Sequence, residues 1–157
     1  MKYWLLFASF STIPPTANCS VGYVYFEPTH SCYGRGPEIG LGWNTWPGAE
    51  HYCETQGGHL PSLHSLEETH LVVSLAAPYG WKVWVGLYSV DENYSWKWSD
   101  ATALDYIPWY YGPPAINSPK DTVNCAFAYP YWRPAGSLII DVCETGNFFV
   151  CKIPAKN

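Results

Sequence analysis

Six cysteines in one chain of 157 residues constrain this sequence more than any other feature. They stand at Cys19, Cys32, Cys53, Cys125, Cys143 and Cys151. No C-x-x-C pair occurs among them, so the spacing supports neither a zinc ribbon nor a thioredoxin-like redox site. An even number of cysteines in a chain that also begins like a secreted protein predicts three disulfide bonds. Spacing alone leaves the pairing open.

The N-terminal residues predict a secretory signal peptide. Lys2 supplies one positive charge, and the apolar run after it is shorter than the roughly 20 residues that span a bilayer. Cleavage is predicted after Ala17 or, alternatively, at the small-residue site that ends at Ser11; a buried first strand is the competing interpretation. We therefore expect a signal peptide at 1–17, one domain at 18–157, no membrane span and a secreted, extracellular protein.

The composition is rich in aromatic side chains and poor in charge. Aromatic residues make up 18% of the chain and charged residues 13%, and the net charge is −5 with no basic run. Phosphate binding needs clustered Lys and Arg, so nucleic acid and anionic membrane surfaces are not expected partners. The apolar fraction of 48% argues against a disordered chain.

Capping signals predict two helices in the first half of the chain. Thr45 is a candidate N-cap, Pro47 is tolerated in the first turn, and Gly57 follows the end of the apolar pattern. Ser65 opens the second helix, with Glu68 three residues later as the acidic partner of a capping box.

The second half is strand-rich. Alternating or β-branched and aromatic segments predict short strands at 81–87, 94–98, 125–129, 137–140 and 148–151. Between them, the proline-punctuated stretch 106–119 predicts a long loop of the kind that usually has a function. Two helices followed by strands form an α+β pattern.

Several motifs occur in an order typical of one known family. A helix cysteine, a glycine turn and a second helix start lie within 53–68, and Trp-Val-Gly-Leu at 84–87 precedes Trp-Ser-Asp at 98–100. Tyr106 and Trp109 lead into the loop, and the last cysteines are spaced as in that family. This ordered set resembles the C-type lectin-like domain. The resemblance implies two helices, short antiparallel strands, a long loop region and recognition outside the cell, including glycan binding and immune defence.

The resemblance also implies a disulfide pairing. In that family the helix cysteine pairs with the last cysteine, which implies Cys53–Cys151 here. The same carry-over implies Cys125–Cys143 at the base of the loop region and Cys19–Cys32 in an N-terminal hairpin.

Calcium ligands are missing at the positions where sugar-binding family members carry them. The loop triplet aligns to Pro113-Pro114-Ala115, and the later acidic position is Val123. The Asn-Asp pair of the family's Trp-Asn-Asp motif aligns to Ile139 and Ile140, with Leu138 in the tryptophan position. Calcium needs six to eight oxygen ligands. We therefore predict no cofactor, with calcium absent from the usual loop site.

A shifted calcium site is the alternative. Asp121, Asn124 and Asp141 lie near the expected positions, and water and carbonyl oxygens would have to complete their shell.

Other chemistry finds little support. Four histidines stand near Glu67 and Glu68, but no H-E-x-x-H motif occurs, and surface or half-buried histidines are the preferred interpretation. They are His51, His59, His64 and His70. No nucleophile elbow or phosphate-binding loop appears, so we predict neither an enzyme nor a metal site.

One glycosylation sequon lies in a predicted turn. Asn93 begins Asn-Tyr-Ser between two strands, where access to the side chain is expected. A second sequon at Asn18 adjoins a cysteine and the cleavage region.

Loop aromatics are the predicted ligand-binding residues. In a lectin that does not use calcium, aromatic rings would stack on sugar while polar neighbours fix its orientation. The same surface would also suit a protein partner, because Tyr, Trp and Arg dominate interface energies. Core packing is the competing role, and for Trp109 it is the preferred one. The candidates are Trp109, Tyr110, Tyr111, Asn117, Tyr129, Tyr131, Trp132 and Arg133.

Overall fold

A computed structural model gives the fold of the chain. It describes residues 17–34, 43–79, 82–91, 95–111, 124–131 and 135–157. The predicted signal peptide falls almost entirely outside these ranges.

Two helices and nine strands make up the described part of the chain. The helices are α1 (Trp46–Thr55) and α2 (Leu66–Ala76). The strands are β1 (Tyr23–Phe26), β2 (Ser31–Gly34), β3 (Trp43–Asn44), β4 (Val83–Ser89), β5 (Lys97–Trp98), β6 (Asn124–Ala128), β7 (Leu138–Val142), β8 (Asn147–Phe149) and β9 (Cys151–Pro154). Among these residues, no helix has the length and apolar character needed to cross a membrane. The α+β class expected from the sequence is confirmed.

Both predicted helix starts are confirmed by their caps. The Thr45 hydroxyl accepts a hydrogen bond from Gly48 N at 3.3 Å, and the Ser65 hydroxyl accepts one from Glu68 N at 3.1 Å. The reciprocal half of the capping box is wrong. The Glu68 carboxylate accepts from the backbone N–H of His64 instead, at 2.7 Å, and its other oxygen points into the protein.

The strands form two sheets. β1, β2 and β9 make a small antiparallel sheet, and the larger sheet has the order β3-β8-β4-β6-β7 with β5 added on β4. Only β4 and β8 run parallel among the described strands; the other neighbours are antiparallel. The pattern-based prediction missed β1, β2 and β3, and β5 has two residues rather than five.

Strand β4 separates two hydrophobic cores. Successive residues of a strand point to opposite faces, so Val83, Val85 and Leu87 share one face. They pack in one core with Val72 and Val73 of α2, all of them buried. A strand buried on both faces explains why residues 83–87 are apolar without alternation.

The second core lies on the other face of β4, against α1. Trp84 packs there with Ala49 and Cys53, which are fully buried. Trp46 closes this side and donates its indole N–H to the carbonyl of Val85 at 2.8 Å. The sheet is therefore held between the two helices.

Three disulfides link distant parts of the chain. Cys53–Cys151 ties α1 to β9 across 98 residues of sequence, and Cys125–Cys143 joins β6 to the turn after β7. Cys19–Cys32 holds the N-terminal segment on β2. These are the pairs that the family resemblance implied.

A buried ion pair connects α2 to the smaller sheet. The Glu68 side chain is fully buried, and its carboxylate lies 2.6 Å from the Lys152 ammonium of β9. The Tyr33 hydroxyl of β2 also donates to Glu68. Burial, followed by this hydrogen bond, raises the pKa of Tyr33, so the hydroxyl keeps its proton and remains a donor. Lys152 completes its bonds at Ser62, with the carbonyl at 3.2 Å and the hydroxyl at 3.0 Å.

Removing the ammonium of this pair should destabilise the fold strongly. Lys152→Met keeps most of the stem but leaves the Glu68 carboxylate buried without its counter-charge, which costs about 3–5 kcal/mol in such pairs. Lys82→Met is the matched control, because Lys82 pairs with Asp141 at 3.3 Å but is 43% exposed. Such exposed pairs contribute about 1 kcal/mol or less. Urea unfolding of the oxidised variants measures both; equal losses would contradict the role assigned to Lys152.

Candidate functional site

Five of the eight predicted ligand-binding residues lie in the described part of the chain. Trp109, Tyr110 and Tyr111 end one described range, and Tyr129 and Tyr131 follow β6. Asn117, Trp132 and Arg133 lie outside the described residues, as do Asn93, Asp121, Val123 and the triplet 113–115.

Backbone pairing brings both aromatic segments to the same end of the larger sheet. On one side of β7, Leu138 N donates to Pro108 O at 2.8 Å, and Tyr110 N donates to Leu138 O at 3.1 Å. On its other side, Leu138 pairs with Ala128, the last residue of β6. Residues 109–111 and 129–131 therefore leave the sheet on either side of Leu138.

Each segment carries a pair of tyrosines in edge-to-face contact. The first tyrosine pair, Tyr110 and Tyr111, has ring centroids 4.4 Å apart, and the second tyrosine pair, Tyr129 and Tyr131, has centroids 6.1 Å apart. One ring of each pair projects into solvent: Tyr111 is 83% exposed and Tyr131 is 60% exposed. The Tyr131 hydroxyl donates to Ala77 O at 3.0 Å, which fixes that ring against the end of α2.

Trp109 has a different role from these tyrosines. It is half-buried, packs against the core on the α2 side, and lies edge-to-face on Trp96 with centroids 5.1 Å apart. Core packing was the preferred expectation for this residue, and its contacts agree with that role. Trp109 supports the first tyrosine pair from below.

The described residues at the aligned calcium positions are apolar. Leu138 is buried, and Ile139 and Ile140 are half-buried. Asp141, the nearest carboxylate among the described residues, pairs with Lys82 at 3.3 Å and accepts the N–H of Val142 at 2.8 Å. Its oxygens are therefore already used within the protein.

The register separates two residues of the alternative shifted site. Cys125 pairs with Asp141 across β6 and β7, so these two side chains share one face of the sheet. Asn124 precedes Cys125 and points to the opposite face, where it is buried. Asn124 and Asp141 thus project away from each other.

A polar pocket of about 430 Å³ lies at the other end of α2. No sequence motif predicted a site here. The available signals were the Trp-Ser-Asp motif, which the sequence presents only as a family feature, and a lone lysine in the strand after the last cysteine. Its polar lining includes Ser31, His59, His64, Asp100, Thr102 and Lys152.

Hydrogen bonds saturate most of this polar pocket. The Ser62 hydroxyl donates to Asp100 at 2.5 Å, and Thr102 donates to the other Asp100 oxygen through both its N–H and its hydroxyl. His64 lies 2.6 Å from Asp105 and 3.1 Å from the Thr102 hydroxyl. The pocket is therefore a rigid network that joins residues 100–105 to the start of α2.

The network holds two carboxylates in their charged form. Burial alone would raise the pKa of Asp100, but the hydrogen bonds from Ser62 and Thr102, with the nearby Lys152 charge, keep that pKa below its usual value. The hydrogen bond from His64 lowers the pKa of Asp105.

Comparison with known proteins identifies the family of this fold. Residues 43–153 match the family described as Lectin C-type domain. A chain of the snaclec VP12 from Daboia palaestinae is 34% identical over 143 residues, which cover 88% of this chain and 98% of that protein.

Solved structures agree with this assignment. The cow C-type carbohydrate-recognition domain of CD23, solved in the presence of GlcNAc2Man3 oligosaccharide, has a TM-score of 0.72 at 26% identity, covering 90% of this chain and 99% of that one. A calcium-independent type II antifreeze protein has a TM-score of 0.69 at 25% identity, covering 88% of this chain and 96% of that one.

The Asp100 network should make the fold sensitive to acid. A pKa lowered by folding stabilises the protein above the unfolded-state value, about 3.9 for Asp, and that stability is lost as the pH falls through the folded value. We expect the free energy of unfolding of the native protein to fall more steeply below about pH 4 than that of Asp100→Asn. Glu144→Gln, which removes an exposed carboxylate, is the control. Urea unfolding between pH 7 and pH 2 measures the slopes; parallel curves for Asp100→Asn and the native protein would refute the prediction.

Proposed function

Because this chain belongs to the C-type lectin family, we propose that it is a secreted recognition domain that binds a carbohydrate through exposed tyrosine rings, without calcium at the family's usual loop position. The single observation that carries this proposal is the exposure of Tyr111 and Tyr131 on the two sides of Leu138.

Exposed rings at one end of a rigid sheet suit a sugar ligand. The apolar face of a sugar ring packs against a flat aromatic ring, and a tyrosine hydroxyl adds a donor and acceptor beside it. Tyr111 offers both its ring and the neighbouring Tyr110 edge. Because main-chain bonds to Leu138 fix residue 110, little backbone entropy would be lost on binding.

The calcium part of the proposal depends on missing oxygen ligands. Leu138, Ile139 and Ile140 offer no side-chain oxygen, and Asp141 is neutralised by Lys82. A calcium ion needs six to eight oxygen ligands, several of them charged. The likeness to a calcium-independent antifreeze protein supports the view that the fold persists without the ion.

Secretion is supported by the cysteines. All six cysteines are paired, and disulfides of this kind persist in oxidising compartments. We propose no catalytic role, since the polar pocket holds its acids and histidines in hydrogen bonds with one another.

A protein ligand is the second candidate. It is favoured by the similarity to a snaclec chain whose name makes it part of a larger assembly, over 98% of that protein's length. Exposed tyrosines are also frequent hot spots in protein interfaces. The two candidates use the same surface, so only binding experiments separate them.

Carbohydrate binding should persist in a chelator and depend on Tyr111. On a glycan array we expect equal signals in calcium and in EDTA, and a roughly two- to tenfold weaker affinity for Tyr111→Ala, the range expected for one aromatic contact. Tyr111→Phe should retain most of the binding because it keeps the ring. Val21→Ala is the matched control, since Val21 is 81% exposed but lies before β1.

Three outcomes would contradict parts of the proposal. Loss of signal in EDTA would show that calcium is required. No signal on the array would exclude the sugar ligands it carries and favour the protein candidate. Equal binding by Tyr111→Ala and the native protein would move the site away from the first tyrosine pair.

A further inference from the structure

We propose that Glu50, Glu54 and His59 form a zinc site at the C-terminal half of α1. Each of the three offers one ligand atom, and these atoms lie within 4.8 Å of one another. The sequence placed the histidines near Glu67 and Glu68 and predicted no metal, whereas the fold brings His59 to a different pair of acids. The inference is independent of the tyrosine surface.

The backbone explains how the three side chains meet. Glu50 and Glu54 are four residues apart on α1 and therefore lie on the same helix face. Gly57, with a φ of 85°, takes the left-handed conformation that reverses the chain after the helix, and Gly58 N returns to Cys53 O at 3.0 Å. The reversal brings His59 back alongside Glu50.

One ligand of the site is already held in place. Glu50 is buried, and one of its oxygens accepts hydrogen bonds from Leu60 N at 2.9 Å and from the Ser99 hydroxyl at 3.0 Å. Its other oxygen faces His59 Nδ1 at 2.5 Å. The carboxylate therefore cannot turn away, and it fixes the imidazole by the kind of carboxylate–histidine contact that accompanies metal-bound histidines.

The other two ligands are accessible to an ion from solvent. The His59 side chain is 38% exposed and that of Glu54 is 54% exposed. His51 lies 3.8 Å from Glu54 and is 80% exposed, so it can turn to supply a fourth ligand, or a water can take that position. An ion at this place would need only side-chain rotation at the surface.

The donor set favours zinc over calcium. Zinc binds imidazole nitrogen and carboxylate oxygen at about 2.0–2.2 Å in tetrahedral geometry, which puts neighbouring ligand atoms roughly 3.4 Å apart. Calcium prefers a larger shell made of oxygen alone. Two carboxylates and a neutral imidazole also balance the charge of one divalent ion, with the proton between Glu50 and His59 released on binding.

Zinc titration of the full oxidised chain, without a histidine tag and after treatment with a chelator, tests the site. By isothermal titration calorimetry we expect one equivalent of zinc to bind, about tenfold or more weakly in Glu54→Gln and in His59→Gln. His70→Gln is the matched control, because His70 is an exposed histidine that lies three residues after Glu67 on α2, as Glu54 lies three residues after His51 on α1. Its affinity should equal that of the native protein, and calcium chloride should give no binding at this site.

Thermal unfolding separates loss of the site from loss of the fold. Zinc should raise the Tm of the native protein and of His70→Gln, and should leave the Tm of Glu54→Gln unchanged from its value in chelator. Absence of zinc binding to the native protein would overturn the proposal. Equal weakening by His70→Gln, or native affinity in both Glu54→Gln and His59→Gln, would show dispersed surface binding and overturn it as well.

Discussion

The disulfide between Cys53 and Cys151 is the constraint on which the other contacts depend. It fixes the end of α1 beside the start of β9, although 98 residues separate them in sequence. Once β9 lies there, it completes the smaller sheet with β2, and His59 and Lys152 exchange backbone hydrogen bonds at 2.8 and 3.1 Å. Cross-linking so long a loop restricts the unfolded chain by an amount on the order of 4–5 kcal/mol.

The position of Lys152 follows directly from this bond. As the neighbour of Cys151, it is delivered to α2, where the buried carboxylate of Glu68 and the carbonyl of Ser62 take up its N–H groups. One residue of β9 thereby joins the smaller sheet, the start of α2 and the wall of the polar pocket. A covalent bond and an ion pair, one residue apart, hold the same strand from two directions.

Local chemistry explains which features the sequence could predict. The helix starts depend on Thr45 and Ser65, whose hydroxyls bond within three residues, so the sequence contains all the necessary information. Glu68 behaves otherwise: its position suggested a local cap, but Tyr33 and Lys152, far away in sequence, decide where the carboxylate points. For the candidate site, the loop aromatics were predictable as a group. Which ring packs, as Trp109 does, and which projects, as Tyr111 does, is set by the pairing to Leu138.

The pairing at Leu138 has a consequence for how this end of the molecule can be approached. A strand at the edge of a sheet normally offers free N–H and C=O groups, to which another extended chain can add. At Leu138 both groups are engaged by Pro108 and Tyr110 on one side, and Ala128 occupies the other. At this residue, main-chain addition by a partner strand is blocked, which also protects the sheet from edge-to-edge aggregation there. Selectivity at this end of the fold must therefore come from side chains.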